Sequence, residues 1–187
     1  MIDFKKIYEN SFSNPNYNLH NDEEFRFQFV KNFILKTEIK TMIDIGSGRG
    51  NVLKIVTETF PNIIVESSDL KKFHGLNTKF HEINLCDSKT FKSIEDSKYD
   101  LLSCLDVLEH IEKDCVDDVL SLFSKISKYS LLTIANHSDK QNGVELHLIQ
   151  ENLTYWNPII EKYFEILDTK KEYNEKLYLL TLKSKIK

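Results

Sequence analysis

Apolar positions along the 187-residue chain switch repeatedly between two periods. Compact apolar runs stand at 41–45 (TMIDI), 63–67 (IIVES), 99–105 (YDLLSCL) and 130–135 (SLLTIA), with a weaker run at 79–85 (KFHEINL). Each reads as a short strand. Between them the spacing becomes helical. Val52, Ile55 and Val56 share one face of a helix over 51–60 that Pro61-Asn62 ends. Val116, Val119, Leu120, Phe123 and Ile126 do the same over 113–127. Near the start, Phe25, Phe29, Val30, Phe33 and Ile34 mark a further helix, with Asn21 and Glu24 spaced as a capping box. Residues 1–20, polar with Tyr8, Phe12 and Tyr17, read as an irregular arm. A helix over 150–164 is expected to break at Asn157-Pro158, because proline lacks the amide and clashes with the preceding turn. Runs at 164–169 and 176–182 across a short polar connection predict a hairpin.

Strands separated by helices imply βαβ units and a parallel sheet, and the closing hairpin implies one antiparallel edge. The expected fold is α/β: a doubly wound, Rossmann-like mixed sheet of about seven strands, mostly parallel, with a C-terminal antiparallel β-hairpin. One domain over 1–187 is expected, with an N-terminal arm and helix (1–37), a cofactor-binding core (41–135) and an acceptor loop, helix and closing hairpin (136–187). Such sheets bind ligands at the carboxyl ends of the strands, where the strand order reverses.

Composition narrows the partners. The formal charge is −4, with lysine and arginine scattered, so a nucleic-acid binder's basic face is not expected. No apolar run approaches the roughly 20 residues of a membrane span, and the first residues lack a signal-peptide layout. A cytoplasmic location is expected. The three cysteines, Cys86, Cys104 and Cys115, lack metal-type spacing and read as reduced, buried thiols.

Three of the five glycines, Gly46, Gly48 and Gly50, fall directly between the first strand and its helix. Glycine there permits a tight turn and close approach of the backbone to a ligand. The spacing excludes a P-loop, which needs Gly-Lys-Ser/Thr where this chain has Gly50-Asn51-Val52. A dinucleotide loop would need glycine at 51, where Asn51 stands. What is present is D-x-G-x-G-x-G, Asp44 to Gly50. With this loop, and with YDLLSCLDVLEHI at 99–111, the chain resembles the class I methyltransferases dependent on S-adenosylmethionine (SAM) over residues 41 to about 135.

The resemblance implies SAM as cofactor, S-adenosylhomocysteine (SAH) as product, and Asp44, Gly46, Ser47, Gly48, Gly50, Asp69, Leu70, Cys86, Asp87, Leu105 and Asp106 as cofactor-binding residues. Asp69, 19 residues past Gly50, fits a ribose through two hydroxyl hydrogen bonds, with Glu66 as competitor if the strand ends earlier. Asp87 is placed for the adenine amino group or as a helix N-cap, and the two roles are compatible. Asp106 is placed for the methionine part. Asp106, Glu109 and His110 stand at i, i+3 and i+4, one helical face, a metal-like spacing that some family branches use. Members with V-L-E-H mostly need no ion, so no metal is expected.

The polar loop 136–143 leaves the end of a strand, and His147 follows it. A near-neutral histidine can take the proton from an acceptor hydroxyl. His147 and His137 are the candidate catalytic bases, with His110 a third. The segment Asn/Asp-Pro-Pro-Tyr/Phe of adenine and glutamine methylators is replaced here by Asp106-Val107-Leu108-Glu109, which argues against DNA. The expected function is methylation of a small polar acceptor: O-methylation of a sugar, a surface-glycan precursor or a related metabolite. The alternatives are an RNA methyltransferase and a non-catalytic SAM-binding regulatory subunit. No oligomeric state follows from the sequence.

Overall fold

The computed structural model describes residues 4–13, 22–141 and 143–186. Two helices, α1 (Phe4–Ser13) and α2 (Asp22–Ile34), precede an alternation of β1 (Thr41–Ile45), α3 (Asn51–Thr59), β2 (Ile64–Asp69), β3 (Lys79–Glu82), β4 (Tyr99–Leu105), α4 (Val116–Ile126) and β5 (Ser127–Ala135). A small hairpin, β6 (Lys140–Gln141) and β7 (Val144–Glu145), leads to α5 (Leu153–Ile160), β8 (Phe164–Glu172) and β9 (Leu177–Ser184). The sheet has seven strands in the order β3-β2-β1-β4-β5-β9-β8. Strands β1 to β5 run parallel, and β9 pairs antiparallel with both β5 and β8. The expected doubly wound mixed sheet and terminal hairpin are present.

Both faces of the central strands are covered, which is why they read as near-continuous apolar runs. On one face Ile43, Ile45, Leu102 and Cys104 pack against α4 and α5, with Phe123 and Trp156 fully buried. On the other, Met42, Leu101 and Leu131 pack against α2 and α3. The alternation within β4, Leu101 to one side and Leu102 to the other, is the two-residue period of a strand. The order reverses at β1, from which the chain extends to β2 one way and β4 the other. The crevice beyond the carboxyl ends of β1 and β4 is therefore the ligand site that this topology predicts.

Four local expectations change. Residues 4–13 are helical, not irregular, and Tyr8 and Ser11 from this helix reach His110 and Gln141. The buried stripe of α2 is Phe27, Val30 and Ile34, whereas Phe25, Phe29 and Phe33 are half-buried. Asn21 and the Glu24 side chain of the expected capping box lie outside the described residues. Pro158 sits inside α5 without breaking it. The helix is one short element, capped by Asn152 through the Thr154 amide and anchored by buried Trp156 and Ile160, so the bond lost at the proline is offset by packing. The second strand runs to Asp69, two residues further than the periodicity places it.

Phe123→Ala should lower stability by about 3–5 kcal/mol, since the ring is fully buried in the α4 face of the core. Urea denaturation followed by circular dichroism measures it. A loss below about 1 kcal/mol would contradict this packing.

Candidate active site

The glycine loop forms because β1 must turn sharply into α3. Gly46, Gly48 and Gly50 all have positive φ, 72°, 50° and 74°, which residues with a Cβ adopt at a cost. Gly46 and Ser47 donate their amides to Ser68 O at 2.8 and 3.0 Å, tying the loop to the end of β2. Asp69 completes the link: its carboxylate accepts from Gly48 N at 2.8 Å and from Leu70 N at 2.7 Å. The sequence-predicted Asp69 thus stands against the loop. The competitor Glu66 is occupied inside β2 by His81 at 2.7 Å, Tyr99 at 2.7 Å and Lys79 at 3.3 Å.

Asp44 is buried under the loop and accepts from the Ser103 hydroxyl. Asp87 caps the short 3-10 turn after β3, taking the Lys89 amide at 3.1 Å. Cys86 beside it is exposed and is bonded to Cys115, with the two Cα atoms 5.1 Å apart. This corrects the expectation of three reduced, buried thiols: only Cys104 is buried and free. The 29-residue separation carries no signal of the pairing, because the fold alone brings the turn after β3 beside the start of α4. No helix among the described residues is long and apolar enough to cross a membrane.

Leu105 ends β4, and Asp106 follows with φ 54°. Its amide donates to Thr133 O at 3.0 Å, and its carboxylate accepts from the Thr133 hydroxyl and pairs with Arg26 of α2. Arg26 is a site residue that sequence reasoning missed, since it is one charged position in an amphipathic helix. Arg26 and Asp106 line a pocket of about 220 Å³ with Phe25, Ala135, His137, Tyr173, Lys176 and Leu177. Tyr173 and its neighbours Asn174 and Glu175 hold positive φ in the β8–β9 turn, a run of left-handed non-glycine residues at the pocket wall.

The three candidate histidines are brought together. His110 and His147 stand 4.6 Å apart between ring centroids, and His147 and His137 stand 4.9 Å apart. His137 is exposed and lines the pocket, whereas His147 is buried. Burial holds the His147 imidazole below its ordinary range, and burial with the facing His147 takes His110 down to about 4. Both rings are therefore neutral at pH 7.

The residues at the crevice fit an adenosyl cofactor. The hydroxyl oxygens of Ser47 and Ser68 are buried without a hydrogen-bond partner, next to the loop amides. A Cβ on Gly46 would lie 2.3 Å from Val107 Cγ2, so the missing side chain makes room for Val107 against the loop.

Burial also pushes the Asp44 carboxyl up to about 7, against the opposing Ser103 hydrogen bond, and that of Asp69 up to about 6, against two amide bonds. Both acids hold their protons more tightly folded than in the unfolded chain, where aspartate titrates near 3.9. Ionising them costs stability, so their contribution falls as pH rises from about 4 to about 7. Asp44→Asn keeps an acceptor for Ser103 and removes its share. The variant should gain stability relative to the parent between pH 4 and pH 8, with a shallower slope in chemical denaturation of the ligand-free protein. An unchanged slope would contradict the buried carboxyl.

No protein-family profile matches this sequence, and no curated protein does. Solved structures match over nearly the whole chain. A protein from Pyrococcus horikoshii OT3 shares 13% identity over 89% of this chain and 93% of its own, with a TM-score of 0.69. The N-methyltransferase NodS of Bradyrhizobium japonicum WM9, in complex with SAH, shares 10% over 96% and 97%, with a TM-score of 0.68. Magnesium protoporphyrin IX methyltransferase ChlM of Synechocystis PCC 6803, with bound SAH, shares 14% over 97% and 95%, with a TM-score of 0.68. The fold expected from the glycine loop and the strand-four segment is the fold that is found: that of the SAM-dependent methyltransferases.

Proposed function

We propose that this chain is a SAM-dependent methyltransferase that O-methylates a small polar acceptor, such as a sugar, a surface-glycan precursor or a related metabolite. The observation that carries the reading is the D-x-G-x-G-x-G loop at the switch point, with Asp69 bonded to the Gly48 amide. In this reading Asp69 holds the ribose, and Asp87 and the neighbouring Leu85 and Cys86 hold the adenine. Asp44, Ser47, Leu105 and Asp106 surround the methionine part. SAM supplies a methyl group activated on a sulfonium.

The pocket beside Asp106 then takes the acceptor. Its volume of about 220 Å³ and its lining of Phe25, Tyr173, Arg26 and Lys176 support a compact, polar, ring-bearing molecule. The chain's main task is alignment of acceptor oxygen and methyl. His137 is the residue we assign as base. Its Nδ1 lies 3.1 Å from the carbonyl of Ser138, which can only accept, so Nδ1 carries the proton and Nε2 keeps the lone pair. The scattered charge and net −4 give no basic face and favour this acceptor class over RNA.

Calorimetry should show SAH binding in the micromolar range, roughly −8 kcal/mol. Gly48→Val should abolish it, because a β-branched residue is strained at φ 50°. No heat with SAH alongside tight NADH binding would overturn the cofactor. Once a product-mass screen with labelled SAM gives an acceptor, His137→Ala should keep SAH affinity and lose roughly 100- to 10,000-fold in turnover. Near-normal turnover would remove His137 from the base role.

A further inference from the structure

Behind the pocket wall, Glu109, His110 and His147 form a cluster that the proposed methyl transfer does not use. One ligand atom from each lies within 4.8 Å of the other two. Glu109 is fully buried. Its Oε1 accepts the Ala135 amide at 2.9 Å, but its Oε2 is buried without a hydrogen-bond partner. A buried carboxylate oxygen left bare is rare and calls for an explanation.

The two histidines are oriented alike. His147 Nδ1 lies 2.5 Å from His137 O, and His110 Nδ1 lies 3.0 Å from Leu146 O, with the Tyr8 hydroxyl 2.9 Å away. A backbone carbonyl can only accept, so both Nδ1 atoms carry the proton. Each Nε2 is left with its lone pair. An imidazole whose far N–H is fixed on a carbonyl is the usual posture of a metal-bound histidine.

We propose that Glu109 Oε2, His110 Nε2 and His147 Nε2 bind one divalent transition-metal ion, leaving a position open towards the pocket lined by Asp106 and His137. Two imidazoles and one carboxylate favour zinc or cobalt over magnesium, which prefers an all-oxygen set. Three protein ligands with an open position are the pattern of catalytic rather than structural sites. The open position suits an oxygen of a hydroxyl-bearing acceptor. The set differs from the Asp106, Glu109, His110 triplet of the sequence spacing. Asp106 is engaged by Thr133 and Arg26, and His147 takes its place from 37 residues beyond His110.

Metal binding stands apart from the methyltransferase reading, and SAH titration reports on that reading separately. The full chain, stripped with a chelator, is titrated with zinc, cobalt and magnesium, and retained metal is measured after gel filtration. We expect about one zinc per chain, visible absorption bands with cobalt from nitrogen ligation, and no retained magnesium. Glu109→Gln keeps an acceptor for the Ala135 amide and should weaken zinc by more than roughly 100-fold, beyond what loss of an outer-shell partner costs. His147→Ala should do the same, and both variants should still bind SAH. Zinc retained equally by the parent and both variants, or by none of them, overturns the site. Magnesium retained as well as zinc overturns the choice of ion.

Discussion

Gly46 has no room for a side chain. Its Cα lies so close to Val107 that a Cβ would fall 2.3 Å from a methyl carbon, and its φ of 72° is itself glycine territory. This approach clamps the loop after β1 to the segment after β4, the two strands at which the sheet order reverses. Much else at the crevice follows from it. Val107 lies between Asp106, whose amide is held by Thr133 of β5, and Glu109, whose carboxylate holds the Ala135 amide. The exits of β1, β4 and β5 are therefore fixed against one another by one close packing contact and two hydrogen bonds. A site shared among three loops needs such mutual constraint, because loops alone do not hold a geometry.

The charge pattern at this edge discriminates between ligands. Asp44, Asp69 and Glu109 are pushed up to about 7, 6 and 7, chiefly by burial. Acids kept in such surroundings weaken a fold, and perturbed acids in a cleft mark functional sites. The amide of Gly48, near the helix N-terminus where a phosphate would be cradled, already donates to Asp69. A pyrophosphate would meet a carboxylate there, whereas a ribose hydroxyl can donate to the same oxygen. That geometry favours an adenosyl ligand over a dinucleotide more directly than the missing glycine at position 51 does.

The legible parts of the chain were those where local pattern and tertiary role coincide. Strands buried on both faces show as apolar runs, and loops that must turn with positive φ show as clustered glycines. The placing of Asp69 against the loop is legible because its distance from Gly50 is a property of one βαβ unit. What escaped depends on contacts remote in sequence. Arg26 meets Asp106 across 80 residues, Tyr8 meets His110 across 102, and Cys86 meets Cys115 across 29 residues that include all of β4. The helical state of residues 4–13 escaped because their polar composition suits a surface helix as well as a loop. Pro158 stays inside α5 because the burial of Trp156 and Ile160, which no local propensity reports, outweighs the cost of the proline.

The N-terminal helices close the site in two different ways. Helix α2 is seated by Phe27, Val30 and Ile34 in the core, so Arg26 is delivered to Asp106 from a rigid support. Helix α1 crosses the carboxyl edge of the sheet on polar contacts: Lys5 to Glu82 after β3, Glu9 to Lys71 after β2, Tyr8 to His110 and Ser11 to Gln141. The two ion pairs are exposed and are each worth about 0–1 kcal/mol. Arg26 therefore reaches Asp106 from a helix anchored in the core, whereas Tyr8 reaches His110 from a helix laid across the strand ends, so the site is closed on two sides by residues that no local pattern connects to it.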